Sequence, residues 1–330
     1  MSRHRASYHE PERVAPLPGT LPVKIVLATR KSRLALWQAH AAKRTLEAAQ
    51  PELEVELLPL SSSGDENTTT ALERFGRIGI FTVEVDRAVL EGRAHAAVHS
   101  LKDMTTELQD GLLLAGTLGR GPVEDAFVSP GHASFEELPE GARIATGSRR
   151  RAAFARAARP DLEITGIRGN VETRLQKLSA GHAEGMFLAR AGLVRLGLEE
   201  HLTQVLDVQR FLPAVGQGIV GLTCRADDAD THRLLLGISD LEALHEGLAE
   251  RSLLRELRGG CNVPVGAHAT VREGALHLVA RVSSLDGQTA VEGELTGSRD
   301  HAASLGKVLA RHLLDQGAGA LIEAARQAES

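Results

Sequence analysis

Short apolar runs alternate with longer stretches of helical periodicity along most of this chain, and this alternation restricts the folds it can adopt. The first run, Val23–Arg30 (VKIVLATR), predicts a buried strand, and Ser32 is placed to cap a helix over LALWQAHAAKRTLEAA. Leu53–Leu60 and Ala94–Ser100 predict the next strands, with a helix at Phe81–Glu91 between them. Strands that alternate with helices at this spacing predict parallel α/β packing.

The alternation resumes beyond Asp103 and changes near the C-terminus. A long helix is predicted at Asp240–Leu257, and after Cys261 the pattern becomes a meander of strands followed by a last helix. We therefore expect an α/β fold with two lobes and a smaller α+β C-terminal domain. The predicted strands are 112–118, 126–129, 143–146, 162–167, 185–189, 219–224, 266–272, 275–283 and 289–296, and the predicted helices are 149–158, 170–180 and 302–316.

Composition and charge exclude several classes of protein. The chain has a net charge of −5, and aromatic residues make up only 3%, so neither a basic surface for nucleic acid nor a set of base-stacking rings is expected. No apolar run reaches the roughly 18 residues of a transmembrane helix. The two cysteines, Cys224 and Cys261, form no CxxC zinc pair and no disulfide framework, which is typical of a reducing cytosol.

Arginine lies at the ends of several predicted strands. Only six of the 38 basic residues are lysines, so the side chain that binds carboxylates and phosphates bidentately dominates. Arg149, Arg150 and Arg151 follow the strand that ends at Thr146, where cations oppose the dipole of the next helix. A bound anion would resolve that conflict, and a solvated basic turn is the alternative. Comparable strand ends carry Arg30, Arg168, Arg174 and Arg195.

Ligands of open α/β sheets bind at the carboxyl ends of strands, so these arginines predict a ligand with several carboxylates or phosphates. Neither GxxxxGK[ST] nor GxGxxG occurs, which disfavours a nucleotide. The segment His99–Asp103 (HSLKD) adds an acid beside a lysine at a further strand end. Asp103 would there stabilise a cationic intermediate or accept from N–H donors, and an ordinary loop pair with Lys102 is the alternative.

A lone thiol stands in the loop Gly259-Gly260-Cys261-Asn262. The glycines leave room for a bulky partner close to the sulfur, which predicts that Cys261 is a nucleophile or an attachment point. A buried, inert thiol is the alternative. That alternative suits Cys224 better, because Cys224 lies within the apolar strand IVGLTCR.

Seven segments together resemble the hydroxymethylbilane synthase family, whose members are also called porphobilinogen deaminases. They are ATRKSRLALWQA, AVHSLKD, DAFVS, RPDLEITGIRGNVETRL, AGLVRLGL, LPAVGQG and ERSLLRELRGGCNVPVG. The last is similar to the family's cofactor-attachment signature, and the resemblance extends over nearly the whole chain from about Lys24. It implies stepwise head-to-tail condensation of four porphobilinogen molecules onto a covalent dipyrromethane cofactor with release of ammonia. Hydrolysis would then release the linear tetrapyrrole hydroxymethylbilane.

The resemblance also implies roles for individual residues. Asp103 corresponds to the family's catalytic aspartate, which would hydrogen-bond pyrrole N–H groups and stabilise the cationic azafulvene formed as ammonia leaves. A thioether would join the cofactor to Cys261. The cofactor would further contact Lys102, Ser148, Arg150, Arg151, Ser100, Thr146 and Asp103. The substrate and elongation site would be lined by Arg30, Ser32, Gln38, Arg168, Arg174 and Arg195, and no metal is implied.

The family resemblance implies three domains, of which the first two are similar to the lobes of periplasmic binding proteins. We expect domain 1 at 21–118 with 219–238, domain 2 at 119–218 and domain 3 at 239–330, after a disordered N-terminal extension at 1–20. A cytoplasmic monomer is expected, with a small-molecule substrate and with neither nucleic acid nor membrane as partner.

The sequence departs from the family's pattern at Thr105-Thr106, where many members have Val-Pro, and within the polar loop predicted at 61–79. In that loop Ile78 stands where bacterial members usually carry lysine. Ser63 replaces a common basic residue, for which Arg74 and Arg77 could compensate. A solute-binding protein or a ligand-sensing regulator on the same two-lobed fold is the alternative function. Neither alternative explains Cys261, and neither a signal peptide nor a helix-turn-helix segment is found.

Overall fold

The computed structural model describes residues 24–61, 82–259 and 263–328. The predicted N-terminal extension, most of the predicted loop at 61–79 and Cys261 lie outside these residues. The strands are β1 (Lys24–Arg30), β2 (Glu54–Leu60), β3 (Ala96–Ser100), β4 (Leu112–Leu118), β5 (Asp125–Val128), β6 (Arg143–Ala145), β7 (Glu163–Thr165), β8 (Gly185–Ala189), β9 (Gln204–Val205), β10 (Val220–Arg225), β11 (Val265–Arg272), β12 (Ala275–Ser283) and β13 (Ala290–Ser298). The helices are α1 (Arg33–Ala49), α2 (Val83–Leu90), α3 (Arg149–Ala158), α4 (Val171–Ser179), α5 (Arg190–Leu196), α6 (Ala229–Gly237), α7 (Leu241–Glu256), α8 (Ala302–Asp315) and α9 (Ala318–Gln327).

Two of the three sheets share one topology. The first has the order β2-β1-β3-β10-β4 and the second the order β7-β6-β8-β5-β9. In each, four strands run in one direction and a fifth, β10 or β5, runs antiparallel between two of them. We call the units built on these sheets lobe 1 and lobe 2. The predicted pair of α/β lobes is therefore confirmed.

The chain passes between the lobes twice. It leaves lobe 1 after β4 and enters lobe 2 as β5, and it returns as β10, which inserts between β3 and β4. Because the antiparallel strand of each sheet directly follows a crossing, the two crossing segments run side by side. The amide of Gly121 donates to the carbonyl of Gly218 at 2.9 Å, which joins the two crossings.

The third sheet, β11-β12-β13, is an antiparallel meander that packs against α7 and α8. Alternate residues of β12, including Leu276, Leu278 and Ala280, are fully buried against these helices. This period of two identifies the covered face of the sheet. The smaller α+β unit that the sequence predicts at the C-terminus is confirmed, and we call it the C-terminal domain.

Helix caps fix the turns where strands give way to helices. The Ser32, Ser148, Asn170 and Asp240 side chains each accept from the backbone N–H three residues on, at 2.8–3.4 Å. Such caps satisfy otherwise unpaired N–H groups and set the first residue of each helix. The predicted starts of α1, α3 and α7 therefore agree with the observed ones within a residue.

Three observed helices, α5, α6 and α9, lie where no element is predicted from the sequence. Helix α5 has seven residues, includes Gly192 and ends at Gly197, whose φ of 66° breaks the helix. Helices α6 and α9 begin with small or polar residues and have only nine and ten residues, so the local pattern gives a short signal for each. Tertiary packing stabilises such helices even where the local sequence pattern does not indicate them. In α6, for example, Leu234 and Leu235 are fully buried against the first sheet.

One buried carboxylate, Glu250 of α7, holds both crossing segments against the C-terminal domain. Glu250 Oε1 lies 2.8 Å from Arg120 Nη1 of the first crossing, and Glu250 Oε2 accepts from the Gly216 amide of the second at 2.6 Å. Its Oε1 also accepts from the Ala269 amide of β11 at 2.8 Å. Arg120 further pairs with Glu246 at 3.2 Å. The relative position of the three units therefore depends on this cluster.

We expect Glu250→Gln to destabilise the protein strongly. Breaking a buried ion pair leaves Arg120 poorly compensated and costs about 3 kcal/mol. The matched control is Glu242→Gln, an exposed site in the first turn of the same helix, where removal of the charge should cost less than about 1 kcal/mol. Urea denaturation gives both free energies of unfolding, and equal losses for the two variants would contradict the role of Glu250.

Candidate active site

The carboxyl ends of strands from both lobes meet at one cleft. Ser100 ends β3 and leads into a 3-10 turn at Leu101–Asp103, while Thr146 follows β6 and leads into α3. The two edges are in electrostatic contact, because the charge of Lys102 is influenced by Arg151 and Asp125 of lobe 2. The cleft lies at the edges where ligands of parallel α/β sheets bind.

The arginines at the start of α3 have an internal counter-anion. Arg150 Nη1 lies 2.8 Å from Asp125 Oδ2, and Arg151 Nη2 lies 2.8 Å from Asp125 Oδ1. Arg150 and Arg151 also donate to backbone carbonyls of Leu212 and Phe187. Burial raises the pKa of Asp125, but the two guanidinium groups outweigh burial and hold that pKa well below its usual range. Asp125, a side chain of the protein itself, therefore offsets the unfavourable interaction between these arginines and the helix dipole.

Two positive charges face one negative charge in this buried cluster, so the arginines retain capacity for a further anion. Arg150 Nε is buried and has no hydrogen-bond partner among the residues that the structure describes. An unpaired buried donor is costly and is a favourable position for an acceptor from a ligand. Arg149 differs from its two neighbours, because its side chain donates to the Ala325 carbonyl of α9 at 2.7 Å.

Gln217 connects the two sides of the cleft. Its Nε2 donates to Asp125 Oδ1 at 2.9 Å and to the Val123 carbonyl at 2.7 Å, and its Oε1 lies 3.5 Å from Lys102 Nζ. The side chain is fully buried on the second crossing segment. The position of Lys102 is thereby tied to the arginine cluster of lobe 2.

Lys102 is held in an environment that disfavours its charge. Removal from water and the charges of Arg151 and Arg150 lower the pKa of this lysine and outweigh the opposing effect of Asp103 and Asp125, so that the pKa of Lys102 is about 8. A carboxylate placed beside the ammonium group would restore the charged form. Lys102 is therefore suited to binding an anion that the protein itself does not supply.

The charges of Asp103 and Arg151 both act on Arg174 of α4. Asp103 is exposed at the end of the 3-10 turn. Burial and the charge of Arg151 lower the pKa of Arg174, and the charge of Asp103 raises it, so the three groups are close enough to interact. Arg174 Nε donates to the Gly169 carbonyl at 2.8 Å, which anchors its side chain to the turn before α4.

Several predicted contact residues are engaged within the protein. Gln38 is buried, and both ends of its amide group contact Ser100 Oγ, at 2.8 and 3.3 Å. Thr146 Oγ1 accepts from the Ser148 amide at 3.1 Å, and Ser148 Oγ caps α3. These hydroxyl groups shape the strand ends, whereas the cations around them supply the charge.

The remaining predicted residues lie around the interface between the lobes. Ser32 caps α1, and Arg30 is half-buried at the end of β1. Arg195 donates to the Gly218 carbonyl at 2.6 Å and lies over the Trp37 ring at 5.3 Å from its centroid, which connects α5 of lobe 2 with α1 of lobe 1. Arg168 is exposed on the turn before α4.

Two functional residues, Asp125 and Gln217, are given no role by the sequence analysis, although the segments DAFVS and LPAVGQG contain them. Each has a recognisable signal in retrospect. Asp125 is a charged residue at the head of the apolar strand β5, and Gln217 lies between Gly216 and Gly218, both with positive φ. A polar residue inside an otherwise buried segment requires a specific partner.

Within the described ranges, no group of three metal-ligating side chains is found, and no helix there is long and apolar enough to cross a membrane. The cleft instead presents cations from two α/β lobes, with an unpartnered guanidinium nitrogen and a lysine whose pKa is lowered. The fold and the site define a two-lobed protein whose interlobe cleft is suited to a polyanionic organic ligand.

Comparison with known proteins identifies the family. The family model "Porphobilinogen deaminase, dipyromethane cofactor binding domain" matches residues 25–233, and "Porphobilinogen deaminase, C-terminal domain" matches residues 244–315. The porphobilinogen deaminase of Trichlorobacter lovleyi is 42% identical over 308 residues, which cover 93% of this chain and 98% of that protein. The chain belongs to the porphobilinogen deaminase family and is an enzyme, a transferase of tetrapyrrole biosynthesis. This decides against the alternatives of a solute-binding protein and a regulator.

Solved structures of other proteins show a more distant similarity. Immunogenic lipoprotein A from Vibrio vulnificus is 14% identical, with a TM-score of 0.44 over 67% of this chain and 96% of that one. A periplasmic substrate-binding protein of an ABC transporter from Coxiella burnetii is 14% identical, with a TM-score of 0.43 over 65% of this chain and 91% of that one.

The lowered pKa of Lys102 should be visible when the side chains of the six lysines are titrated. We expect one lysine Nζ to titrate near pH 8 in the ligand-free protein, and this signal to be absent from Lys102→Met. Because the unfolded chain keeps that proton up to about pH 10.5, the free energy of unfolding should also rise with pH between these values. NMR titration of labelled lysine side chains tests the assignment, and six lysines titrating together near pH 10.5 would refute it.

Proposed function

We propose that the cleft holds a dipyrromethane cofactor and extends it by head-to-tail condensation of four porphobilinogen molecules. In each step the aminomethyl group of the substrate would lose ammonia as its methylene carbon bonds to the free α-carbon of the terminal pyrrole, and that carbon would lose its proton. Water then releases the linear tetrapyrrole hydroxymethylbilane. The bound dipyrromethane supplies the nucleophilic pyrrole carbon on which the chain grows.

The observation that carries this proposal is the position of Asp103, an exposed carboxylate next to Lys102 at a cleft where cationic side chains outnumber acidic ones. Arginines and a lysine suit the acetate and propionate groups of pyrroles, and they do not suit a developing cation. Asp103 is placed to accept from pyrrole N–H groups and to stabilise the positive charge that forms as ammonia leaves. Its carboxylate would also accept and pass on the proton that the reaction releases.

The cofactor's carboxylates fit the groups on the lobe 2 side of the cleft. Arg150 Nε has no hydrogen-bond partner in the described residues, and Arg151 lies next to it in the sequence. An anionic neighbour would stabilise the charged form of Lys102. Ser148, Ser100 and Thr146 complete the proposed cofactor contacts. The substrate and the growing chain are assigned to the other residues that the family resemblance indicates, namely Arg30, Ser32, Gln38, Arg168, Arg174 and Arg195.

The internal pairing of Gln38 with Ser100 and of Ser148 with Thr146 limits what these four can do directly. Their amide and hydroxyl groups are already used within the protein, so we assign to them the shaping of the cleft more than its charge. The cationic residues carry the binding energy, because charge-assisted hydrogen bonds are about twice as strong as neutral ones.

The attachment point of the cofactor is proposed to be Cys261. The other cysteine, Cys224, is fully buried in β10, and burial raises the pKa of its thiol to about 11. A thiol that stays protonated and inaccessible is a poor nucleophile. Cys261 follows Gly259 at the end of the α7 segment, on the connection to the C-terminal sheet.

The domain boundaries, the cellular location and the oligomeric state are also proposals. We assign 21–118 with 219–238 to domain 1, 119–218 to domain 2 and 239–330 to domain 3. The protein is proposed to act as a cytoplasmic monomer without nucleic-acid or membrane partners. Its composition, with a net charge of −5 and no long apolar segment, is in keeping with these assignments.

The cofactor attachment is tested by intact-mass measurement. The wild-type protein should be heavier than its sequence by two linked pyrroles, and Cys261→Ser should lose this adduct and nearly all activity. Cys224→Ser is the matched control and should keep the adduct, because its sulfur lies in the core. An adduct that survives Cys261→Ser and disappears in Cys224→Ser would reverse the assignment.

Replacement of Asp103 should affect turnover far more than stability, because an exposed carboxylate adds little to folding. Loss of a preorganised charge typically lowers the rate by about 10²–10³-fold. Asp103→Asn and Asp103→Ala should both show this loss with a melting temperature near that of the wild type, while Asp103→Glu should keep partial activity. Wild-type turnover in Asp103→Asn would assign the residue a hydrogen-bonding role and not an electrostatic one.

A further inference from the structure

The segment that carries Lys102 and Asp103 has little regular structure of its own. Only the 3-10 turn at Leu101–Asp103 is regular, and the chain from 104 to 110 forms neither helix nor strand. Asp103 is exposed, so its side chain is not held in place by packing. The position of its carboxylate therefore depends on how the backbone is held on either side of it.

The first residue of the turn, Leu101, lies in a socket formed by glycines. Its side chain is only 1% exposed. A Cβ atom at Gly216, Gly221 or Gly247 would lie 2.7–3.0 Å from a carbon of Leu101, which is closer than packed atoms approach. The Leu101 amide also donates to the Ile219 carbonyl at 3.0 Å. The start of the turn is therefore fixed by close packing.

The backbone that follows Asp103 is held by Arg251 of α7. Arg251 Nη2 donates to the carbonyls of Thr105 and Thr106, at 2.7 and 3.2 Å. Neither carbonyl accepts from a backbone N–H of the described residues. Backbone carbonyls in irregular segments need partners from elsewhere. Arg251 therefore supplies the hydrogen bonds that a helix or a strand would otherwise provide.

Arg251 is a buried cation without an acidic partner. Its exposure is 8%, and it forms no ion pair with a carboxylate in the parts of the chain that the structure describes. Burial and the charge of Arg255 lower the pKa of Arg251 to about 10, so the guanidinium group stays protonated at neutral pH. Burying such a charge is costly, and a hydrocarbon side chain would avoid the cost. What the arginine provides in return is the contact with 105–106.

One face of α7 makes the contacts on both sides of the catalytic carboxylate. Ala243, Gly247 and Arg251 are spaced by four residues and lie along one stripe of the helix. Ala243 belongs to the same apolar cluster as Leu101 and Met104. Gly247 makes room for Leu101, and Arg251 binds the backbone that follows. The turn is therefore docked on α7 at both of its ends.

We propose that Arg251 is a positioning residue of the enzyme, which fixes the carboxylate of Asp103 by holding the backbone at 105–106. This inference rests on the proposed role of Asp103 and extends it. Arg251 acts only through the turn and touches neither the cofactor nor the substrate. Displacing a catalytic group by about 1 Å costs up to about 10²-fold in rate, so the loss should appear in turnover and not in substrate binding.

The first test is Arg251→Met, which keeps most of the hydrocarbon volume and removes the donors. Measured per molecule that carries the pyrrole adduct, kcat should fall about 10- to 100-fold while KM for porphobilinogen changes less than about twofold. Arg251→Lys keeps a donor for one carbonyl and should recover part of the loss. The matched control is Arg255→Met, an exposed site one turn further along α7, where kcat should stay within about twofold.

The second test combines Arg251→Met with Asp103→Asn. If Arg251 acts through Asp103, it should lower the rate of Asp103→Asn by less than about threefold, because the group that it positions is already disabled. A merely structural role would lower the rate by the same factor in both backgrounds. Hydrogen exchange at the amides of 104–107 should also be faster in Arg251→Met than in the wild type, and unchanged in Arg255→Met. Arg251→Lys is measured in both backgrounds if Arg251→Met does not fold.

The outcomes separate this inference from the proposed function. Equal losses of rate in the two backgrounds, or unchanged exchange at 104–107, would overturn the role of Arg251 and leave that of Asp103 intact. Wild-type turnover in Asp103→Asn would show that the role of Asp103 is wrong, and the role of Arg251 would be overturned with it.

Discussion

The cleft depends on one buried carboxylate, Asp125. Burying a charge is costly unless it is paired, and Asp125 is paired with Arg150 and Arg151 at 2.8 Å and accepts from Gln217. The two arginines depend on Asp125 in turn, because without it two guanidinium groups would be buried in lobe 2 with no opposite charge. The carboxylate is thus what allows a strongly cationic surface to be built and kept in place before any ligand arrives. The cluster retains excess positive charge, which is the property that a polycarboxylate requires.

A continuous set of polar contacts extends from this carboxylate to the C-terminal domain. Gln217 joins Asp125 to Lys102, its backbone carbonyl accepts from Arg120, and Arg120 pairs with Glu250. Both crossing segments and the long helix α7 are therefore parts of one network. Substitutions near Glu250, far from the reacting groups, are expected to change the geometry of the cleft because they act on the connections between the lobes.

Much of this molecule is predictable from sequence, for identifiable reasons. The strands β1, β4, β12 and the helix α3 have strong apolar periods or clear caps, and they occur where the pattern predicts them. The strand ends also indicate the arginine-lined cleft. The role of Asp125 is not predictable in this way, because the arginines at 149–151 suggest an external anion and only the three-dimensional structure shows that an internal one is present. The same holds for Gln217 and for helix α6, whose partners are distant in sequence.

The exchange of strands between the lobes has a consequence for how the chain is made. Strand β10 lies in the middle of the first sheet, between β3 and β4, yet it follows the whole of lobe 2 along the chain. During synthesis from the N-terminus, the first sheet therefore stays incomplete until residues 220–225 have been made. Until then the edges of β3 and β4 that pair with β10 remain exposed. Unpaired edges invite association with other chains. Lobe 2, by contrast, consists of one continuous stretch and is able to form earlier, so the second unit in sequence is expected to be the first to complete its sheet.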